Sequence, residues 1–150
     1  MCGIATLFAK SSGKDVVESV ERALDLAAHR GPNGRGLIFG NGLQTLEPPD
    51  RNRADWVLGH ARLSIIDLSR AGAQPMAARN GRLWITYNGE VYNYVELRSE
   101  LMAEGRAFVS GTDTEVVLAA YDVWGESCVD RFIGMFAFVI VDLDRHCVFV

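Results

Sequence analysis

Residues 1–8 read Met-Cys-Gly-Ile-Ala-Thr-Leu-Phe, a cysteine directly behind the initiator methionine and then a short apolar run. The run Ile4–Phe8 is typical of a buried β-strand, so a sheet is predicted to begin immediately after the thiol. Removal of Met1 would leave Cys2 with both a thiol and a free α-amine. A terminal amine titrates at about pH 8, so it can act as a base at neutral pH. Cys2 is therefore a candidate nucleophile with its own base. The alternative is a small buried residue near a chain end.

The composition is that of one globular domain. Of 150 residues, 49% are hydrophobic and 23% are charged, which is enough apolar material for a core. The formal charge is −4 and there is no block of Lys and Arg, so nucleic-acid binding is not expected. No signal peptide and no run of membrane-spanning length is present, so no membrane association is expected either. The odd, widely spaced set Cys2, Cys128 and Cys147 argues against a disulfide framework and predicts a cytoplasmic protein.

Short strands and helices are predicted to alternate along the chain, with no internal repeat. Helical spacing of apolar residues covers Val16–Ala28, Tyr94–Ala103 and Thr112–Trp124. Strands are predicted at Ile4–Phe8, Val57–Ala61, Leu83–Tyr87, Met135–Val141 and Cys147–Val150, with two short extended pieces among the glycines at 34 to 42. Met135–Val141 is continuously apolar, as expected for a central strand buried on both faces. Strands at both ends with helices between them predict an α+β layered fold.

Several common site motifs are missing from the sequence. Gly13-Lys14 lacks the earlier glycine and the following Ser or Thr of a P-loop, and the glycines at 34 to 42 do not form a dinucleotide fingerprint. The three histidines have neither the mutual spacing nor the cysteine partners of a zinc site, so no metal is expected. No serine sits in a nucleophile elbow. Cys2 is therefore the one distinctive nucleophile candidate.

A thiol nucleophile needs hydrogen-bond donors for the developing oxyanion and charged groups to hold the substrate. Three clusters offer them: Arg62 at a predicted strand exit, Asn88-Gly89 with a side-chain amide beside an unhindered N–H, and Asp113 at a predicted helix start. Each cluster has a structural alternative. Arg62 could form a surface ion pair, Asn88-Gly89 a hairpin turn, and Asp113 with Thr112 a helix cap.

Taken together, seven ordered motifs carry a family resemblance. They are Met1-Cys2-Gly3-Ile4, His29-Arg30-Gly31-Pro32, the cluster Gly59–Asp67 around Arg62, Ala73-Gln74-Pro75-Met76, Asn88-Gly89-Glu90-Val91-Tyr92-Asn93, Thr112-Asp113-Thr114-Glu115 and Gly134-Met135-Phe136-Ala137-Phe138. In this order they resemble the glutaminase half of glutamine-hydrolysing asparagine synthetase, a class II glutamine amidotransferase of the N-terminal nucleophile hydrolase superfamily. The resemblance implies a four-layer α/β/β/α sandwich of antiparallel sheets over residues 1–150.

The resemblance also implies residue roles. Cys2 would be the nucleophile with its own amine as base, and the Asn88 side chain and Gly89 N–H would form the oxyanion hole. The remaining implied residues hold the substrate glutamine. Arg62 would bind its α-carboxylate and Asp113 its α-ammonium, Glu90 would contribute to the pocket, and the backbone at Ile65 and Ile66 would line the wall. No cofactor and no metal is implied for this domain.

Two features depart from the family pattern. Asn33 stands where an aspartate is usual, in a turn expected to be structural. The chain also stops inside an apolar strand at Val150, so the glutaminase domain is expected to be incomplete at its C-terminal end. A synthetase domain that uses ATP and Mg is expected to follow it in the natural chain, and its Ser-Gly-Gly-x-Asp loop is not found here. An open sheet edge is then expected, with Phe136, Phe138, Val148 and Phe149 losing part of their cover.

The expected function is hydrolysis of glutamine to glutamate and ammonia, with the ammonia feeding the absent synthetase domain. Two alternatives stay open: a related amidotransferase whose other half aminates a sugar or another carboxylate, and a non-catalytic truncated module. The expected partners are glutamine and the synthetase domain, and a homodimer is left open.

Overall fold

The computed structural model describes residues 2–43, 50–64, 67–78 and 81–150. Its strands are β1 (Gly3–Phe8), β2 (Gly34–Gly40), β3 (Trp56–Arg62), β4 (Met76–Ala78), β5 (Leu83–Val91), β6 (Gly134–Asp142) and β7 (Cys147–Phe149). Its α-helices are α1 (Lys14–Leu26), α2 (Tyr94–Ala103) and α3 (Asp113–Trp124). Short 3-10 turns lie at Ala28–Arg30, Arg51–Arg53, Arg70–Gly72 and Gly125–Arg131. None of the described helices is long and apolar enough to cross a bilayer.

The strands form two antiparallel sheets, one with the order β1-β3-β2 and one with the order β4-β5-β6-β7. Helix α1 packs on the first sheet, because Val16, Val17, Val20 and Leu24 recur along one face and bury there with Val57 and Ala61. Helices α2 and α3 cover the second sheet in a larger core. Trp56 and Leu58 meet Val139 and Val141 between the sheets. The layers follow the order α/β/β/α, so the predicted α+β sandwich is confirmed.

Strand β5 differs most from its prediction, and the difference bears on the site. The apolar run ends near Tyr87, but the ladder to β6 continues from Leu83↔Asp142 to Val91↔Gly134. Asn88 and Gly89 therefore lie inside a strand, and the hairpin-turn alternative is wrong. Gly89 has φ +154°, and an added Cβ would lie 2.3 Å from the Met135 carbonyl oxygen. Only glycine fits at this position.

Strand β6 is buried on both faces only in its second half. Phe138 to Asp142 are buried, whereas Met135 is 72% exposed, which corrects the prediction for the start of this strand. Phe138 keeps its cover at 6% exposure, packed against Phe149 and Phe136, so the expectation that it would lose part of its cover is wrong. The glycines at 34 to 40 lie on one strand, β2, rather than on two extended pieces.

Candidate active site

Cys2 immediately precedes β1, and its thiol lies against the backbone that leaves β3. The Leu63 N–H donates to Cys2 Sγ at 3.3 Å, and the thiol faces the Leu63 carbonyl oxygen at 3.6 Å. Arg30 Nε donates to the Cys2 carbonyl oxygen at 3.1 Å. The first residues are thus held from two sides, and the sulfur is fixed beside the exit of β3.

The turn after α1 holds both Cys2 and Arg62 in place. Gly31 approaches β3 so closely that an added Cβ would lie 2.1 Å from the Ala61 carbonyl carbon. The Asn33 N–H donates to the Arg62 carbonyl oxygen at 2.9 Å, and Asn33 Oδ1 accepts from the Ser64 N–H at 3.1 Å. An aspartate oxygen could accept the same bond, so asparagine is compatible with the structural role expected of this position.

A cavity of about 260 Å³ opens where β3 ends, beside the second half of β5 and the start of α3. It is lined by the predicted site residues Cys2, Arg62, Asn88, Gly89, Glu90 and Asp113, which come from four separate parts of the chain. Leu63, Ser64, Asp67, Gln74, Tyr87 and Met135 line it as well. The predicted wall residues Ile65 and Ile66 lie outside the described residues. The structure thus gathers one thiol, one cation, three carboxylates and two side-chain amides around one space.

The direction of the Gly89 N–H follows from its neighbours on β5. Successive N–H groups of a strand point to opposite edges. Those of Tyr87 and Val91 donate to Gln74 Oε1 at 2.7 Å and to Asp113 Oδ2 at 3.1 Å. Strand β4 reaches only to Ile85 on this edge. The Gly89 N–H, midway between the two donating groups, therefore faces the same unpaired edge.

The side chain of Asn88 lies on the face of β5 that meets the other sheet. Thr86, two residues earlier on the same face, donates from its hydroxyl to the Gly59 carbonyl oxygen at 3.2 Å. Asn88 Oδ1 is buried and has no hydrogen-bond partner among the described residues. An amide oxygen only accepts hydrogen bonds, so the group of Asn88 that could bind an oxyanion is its Nδ2 amide, which carries two N–H donors. With the Gly89 N–H, that amide is suited to hold an oxyanion at the cavity.

Arg62 donates to backbone carbonyls of the segment that follows it rather than to a carboxylate among the described residues. Its Nη1 donates to the Ser69 carbonyl oxygen at 2.9 Å, and its Nη2 donates to that of Asp67. A guanidinium has five N–H donors, so three are left for a ligand. Asp67 in turn accepts from the N–H groups of Ser69 and Gly111, and the Ser69 bonds hold the pKa of its carboxyl below the usual value. The surface ion pair considered for Arg62 is not what these residues form.

Asp113 is the first residue of α3 and is only 4% exposed. The cap itself is Thr112, whose hydroxyl oxygen accepts from the Glu115 N–H at 3.2 Å. Asp113 Oδ2 accepts from the Tyr87 hydroxyl at 2.7 Å and from the Val91 N–H at 3.1 Å. Burial, and next the Asp113 charge, raise the pKa of Tyr87, so its hydroxyl stays a donor. The carboxylate is thus oriented at the cavity wall, where a ligand ammonium could pair with it.

Two supporting residues have no role in the sequence-based prediction. Gln74 bridges β5 and α3, because its Oε1 accepts from the Tyr87 N–H and its Nε2 donates to Thr114 Oγ1 at 3.2 Å. Tyr87 links β5 to Asp113. Gln74 belongs to one of the seven motifs and Tyr87 directly precedes another. Both residues therefore stand in or next to a motif of the sequence. Their hydrogen bonds could not be predicted from it, because these bonds join elements that only the folded chain brings together.

His60, on β3, is fully buried between the sheets. Its Nδ1 lies 3.1 Å from Thr86 Oγ1, and its Nε2 has no hydrogen-bond partner in the described part of the chain. The Thr86 hydroxyl hydrogen is used toward Gly59, so Nδ1 is the nitrogen that carries the proton. Burial first, and the nearby Arg62 charge second, lower the pKa of His60 to about 4.

We expect the free energy of unfolding to fall as the pH drops from about 6.5 to about 4. In this pH range the folded state keeps His60 neutral, whereas the unfolded chain takes up a proton on the histidine. The contribution of His60 to stability is therefore complete above the ordinary pKa of histidine, 6.5, and is lost as the pH falls toward 4. The His60 share of the loss approaches 3 kcal/mol, at about 1.4 kcal/mol per pKa unit. Urea unfolding of the protein and of His60→Asn across this range measures it. An equally steep fall in the variant would contradict the assignment.

The chain is similar to known proteins along its whole length. Residues 1–150 match the family model described as a glutamine amidotransferase domain. The chain is 35% identical over 152 residues to the glutamine-hydrolyzing asparagine synthetase 1 of Bacillus subtilis, covering 99% of this chain and 22% of that protein. It is 38% identical over 156 residues to the amidase chry2 of Gibberella zeae, covering 97% and 22%. The chain thus spans about a fifth of the length of these curated relatives.

A solved structure shows the same fold at low sequence identity. The glutamine phosphoribosylpyrophosphate amidotransferase from Bacillus subtilis, complexed with ADP and GMP, aligns with a TM-score of 0.76 at 18% identity. The alignment covers 95% of this chain and 35% of that chain. The predicted N-terminal nucleophile hydrolase fold is confirmed by this likeness.

Proposed function

Because this chain belongs to the glutamine amidotransferase domain family, we propose that it hydrolyses glutamine to glutamate and ammonia through a thioester on Cys2. The observation that carries the proposal is the shared cavity, in which the thiol lies together with Arg62, Asp113, Asn88 and Gly89. A free amino acid with an amide side chain presents one anion, one cation and one carbonyl. The cavity wall offers a complementary group to each of them.

In the proposed reaction, Arg62 binds the glutamine α-carboxylate with the N–H groups it does not use toward Asp67 and Ser69. Asp113 pairs with the α-ammonium through the carboxylate that Tyr87 and Val91 orient. Both charges sit at the far end of the substrate, so the side-chain amide is directed toward Cys2. Glu90 is exposed near the end of β5 and lines the same cavity, so it is assigned to the glutamine pocket as well.

The first chemical step forms a bond between Cys2 Sγ and the amide carbon of glutamine. The α-amine, free once Met1 is removed, takes the thiol proton, and the carbonyl oxygen becomes an oxyanion held by the Asn88 amide and the Gly89 N–H. Collapse of this intermediate breaks the carbon–nitrogen bond, and the proton passes to the departing ammonia. Water then attacks the thioester, which releases glutamate and restores the thiol.

We further propose that the ammonia serves an ATP-dependent synthetase domain, as in asparagine synthetase. Support comes from the 35% identity to two glutamine-hydrolyzing asparagine synthetases, from Bacillus subtilis and Methanocaldococcus jannaschii. These relatives are several times longer than the chain, so the partner domain and the final acceptor belong to the proposal.

A glutamine-analogue electrophile should label Cys2 and no other cysteine. Cys128 is fully buried, and burial raises its pKa to about 11, so little of it is thiolate at neutral pH. The adduct is mapped by mass spectrometry, with free glutamine as competitor. Labelling of Cys128 or Cys147 with Cys2 unmodified, or an active protein that retains Met1, would overturn the proposed mechanism.

A further inference from the structure

We infer that Gly72 is a positioning residue for Arg62. By having no side chain, it leaves the space in which the guanidinium lies, and it thereby controls affinity for the substrate α-carboxylate. The inference rests on the proposed function, which assigns that carboxylate to Arg62.

The space beside Gly72 is small and is occupied by the working end of the arginine. A Cβ added to Gly72, which is buried, would lie 2.5 Å from Arg62 Nη2. It would also lie 3.0 Å from Thr112 Cγ2 and 3.4 Å from Asp67 Cβ. The carbonyl groups of Asp67 and Ser69 hold the two terminal nitrogens of the guanidinium from the same segment. Residues 67–72 therefore supply two hydrogen-bond acceptors for the guanidinium and, at Gly72, the space in which its tip lies.

The neighbours of Gly72 differ from those of the glycines that the fold needs. A Cβ on Gly31 or Gly36 would lie 2.1 or 1.9 Å from backbone atoms of Ala61 or Gln74, which cannot move aside as a side chain can. At Gly72 the closest atom is the tip of a flexible side chain. An added methyl group can therefore be accommodated by moving Arg62, at little cost to folding. The substitution instead weakens ligand binding, because the displaced guanidinium is the part of Arg62 that binds the substrate α-carboxylate.

The size of the effect follows from the distances. Restoring an ordinary contact requires Nη2 to move by about 1 Å, and a misplacement of that size can cost on the order of 100-fold. The carboxylate contact is made in the ground state and the transition state alike, so the loss appears in KM. We expect Gly72→Ala to raise KM for glutamine by about 10- to 100-fold, with kcat within about threefold and the thermal midpoint nearly unchanged.

Gly34→Ala is the matched control. Gly34 pairs with Arg62 in the ladder between β2 and β3, and its added Cβ would lie 3.7 Å from Arg62 Cβ and 4.0 Å from Cδ. The methyl group would touch the stem of the same arginine at ordinary distances, without moving its tip. KM should stay at the wild-type value in this variant. An equal rise in both variants would overturn the inference.

Two double variants separate Arg62 from other causes. If Gly72 acts through the guanidinium, Gly72→Ala should add nothing to KM in an Arg62→Ala background, and independent, multiplying effects would overturn the inference. Thr112→Ser removes the methyl group at 3.0 Å and keeps the capping hydroxyl. KM of the Gly72→Ala, Thr112→Ser protein should stay raised, and its return to the wild-type value would make Thr112 the cause.

The same measurements distinguish this inference from the proposed function. If Arg62→Ala alone leaves KM unchanged, the carboxylate role of Arg62 in the proposed function is wrong. If Arg62→Ala raises KM and Gly72→Ala does not, only the role of Gly72 is wrong.

Discussion

Replacing Cys2 with alanine should lower kcat for glutamine hydrolysis by on the order of 10⁴-fold or more, as expected for loss of a covalent nucleophile. No other cysteine can substitute, because Cys128 and Cys147 do not line the cavity. Glutamine should still bind, since Arg62 and Asp113 are untouched. Calorimetry with the inactive variant measures that binding, and an ammonia-release assay measures the rate.

Cys147→Ala is the control for nonspecific effects of removing a thiol. Cys147 is partly buried on β7, and its Sγ lies 3.7 Å from the hydroxyl of Tyr121, which belongs to the core of the second sheet and its helices. Its loss should leave kcat and KM unchanged. Substantial turnover in the Cys2→Ala protein would show that hydrolysis proceeds without a thioester on Cys2, for example by direct attack of water.

Asn88→Ala should lower kcat by about 10²- to 10³-fold, with a much smaller change in KM. The amide is placed to donate to the carbonyl oxygen once negative charge develops there, so its contribution is greatest in the transition state. Asn88→Asp should be at least as damaging although the shape is kept, because a carboxylate would face the oxyanion. Steady-state kinetics of both variants give the comparison.

Asn93→Ala provides the contrast between a structural and a catalytic asparagine. Asn93 uses its amide within the fold, with Nδ2 donating to the Arg131 carbonyl oxygen at 2.9 Å and Oδ1 accepting from the Ile133 N–H at 2.9 Å. Its replacement should lower stability and leave kcat nearly unchanged. If Asn88→Ala behaves in this way too, with normal kcat and a lower melting temperature, the oxyanion role of Asn88 is wrong.

The location of most helices and strands was predictable because local sequence carries the signal. Tyr94–Ala103 was predicted with its observed bounds, and α3 begins one residue after its predicted start. The apolar faces of these segments repeat at helical spacing, and such periodicity does not depend on the partner that covers it. The end of β5 was not predictable in this way. Residues 88–90 interrupt its apolar pattern before the buried Val91, and they are held as a strand by pairing with β6.

The sequence by itself also determined which residue types stand in the site. Cys2, Arg62, Asn88, Gly89 and Asp113 were selected by their chemistry and by the order of the motifs, and the fold brings all of them to one cavity. Chemistry and order are properties of the chain, so they can be read before any contact is known.

Only the tertiary structure decided which donors and acceptors remain unused. The Gly89 N–H faces an unpaired edge because β4 is short and because Gln74 and Asp113 engage the N–H groups on either side. The tip of Arg62 lies in the space beside Gly72 because it folds back onto residues 67–69. Such features depend on which donors, acceptors and spaces of one segment are occupied by groups from distant segments. They arise from contacts far apart in sequence, and no local pattern encodes them.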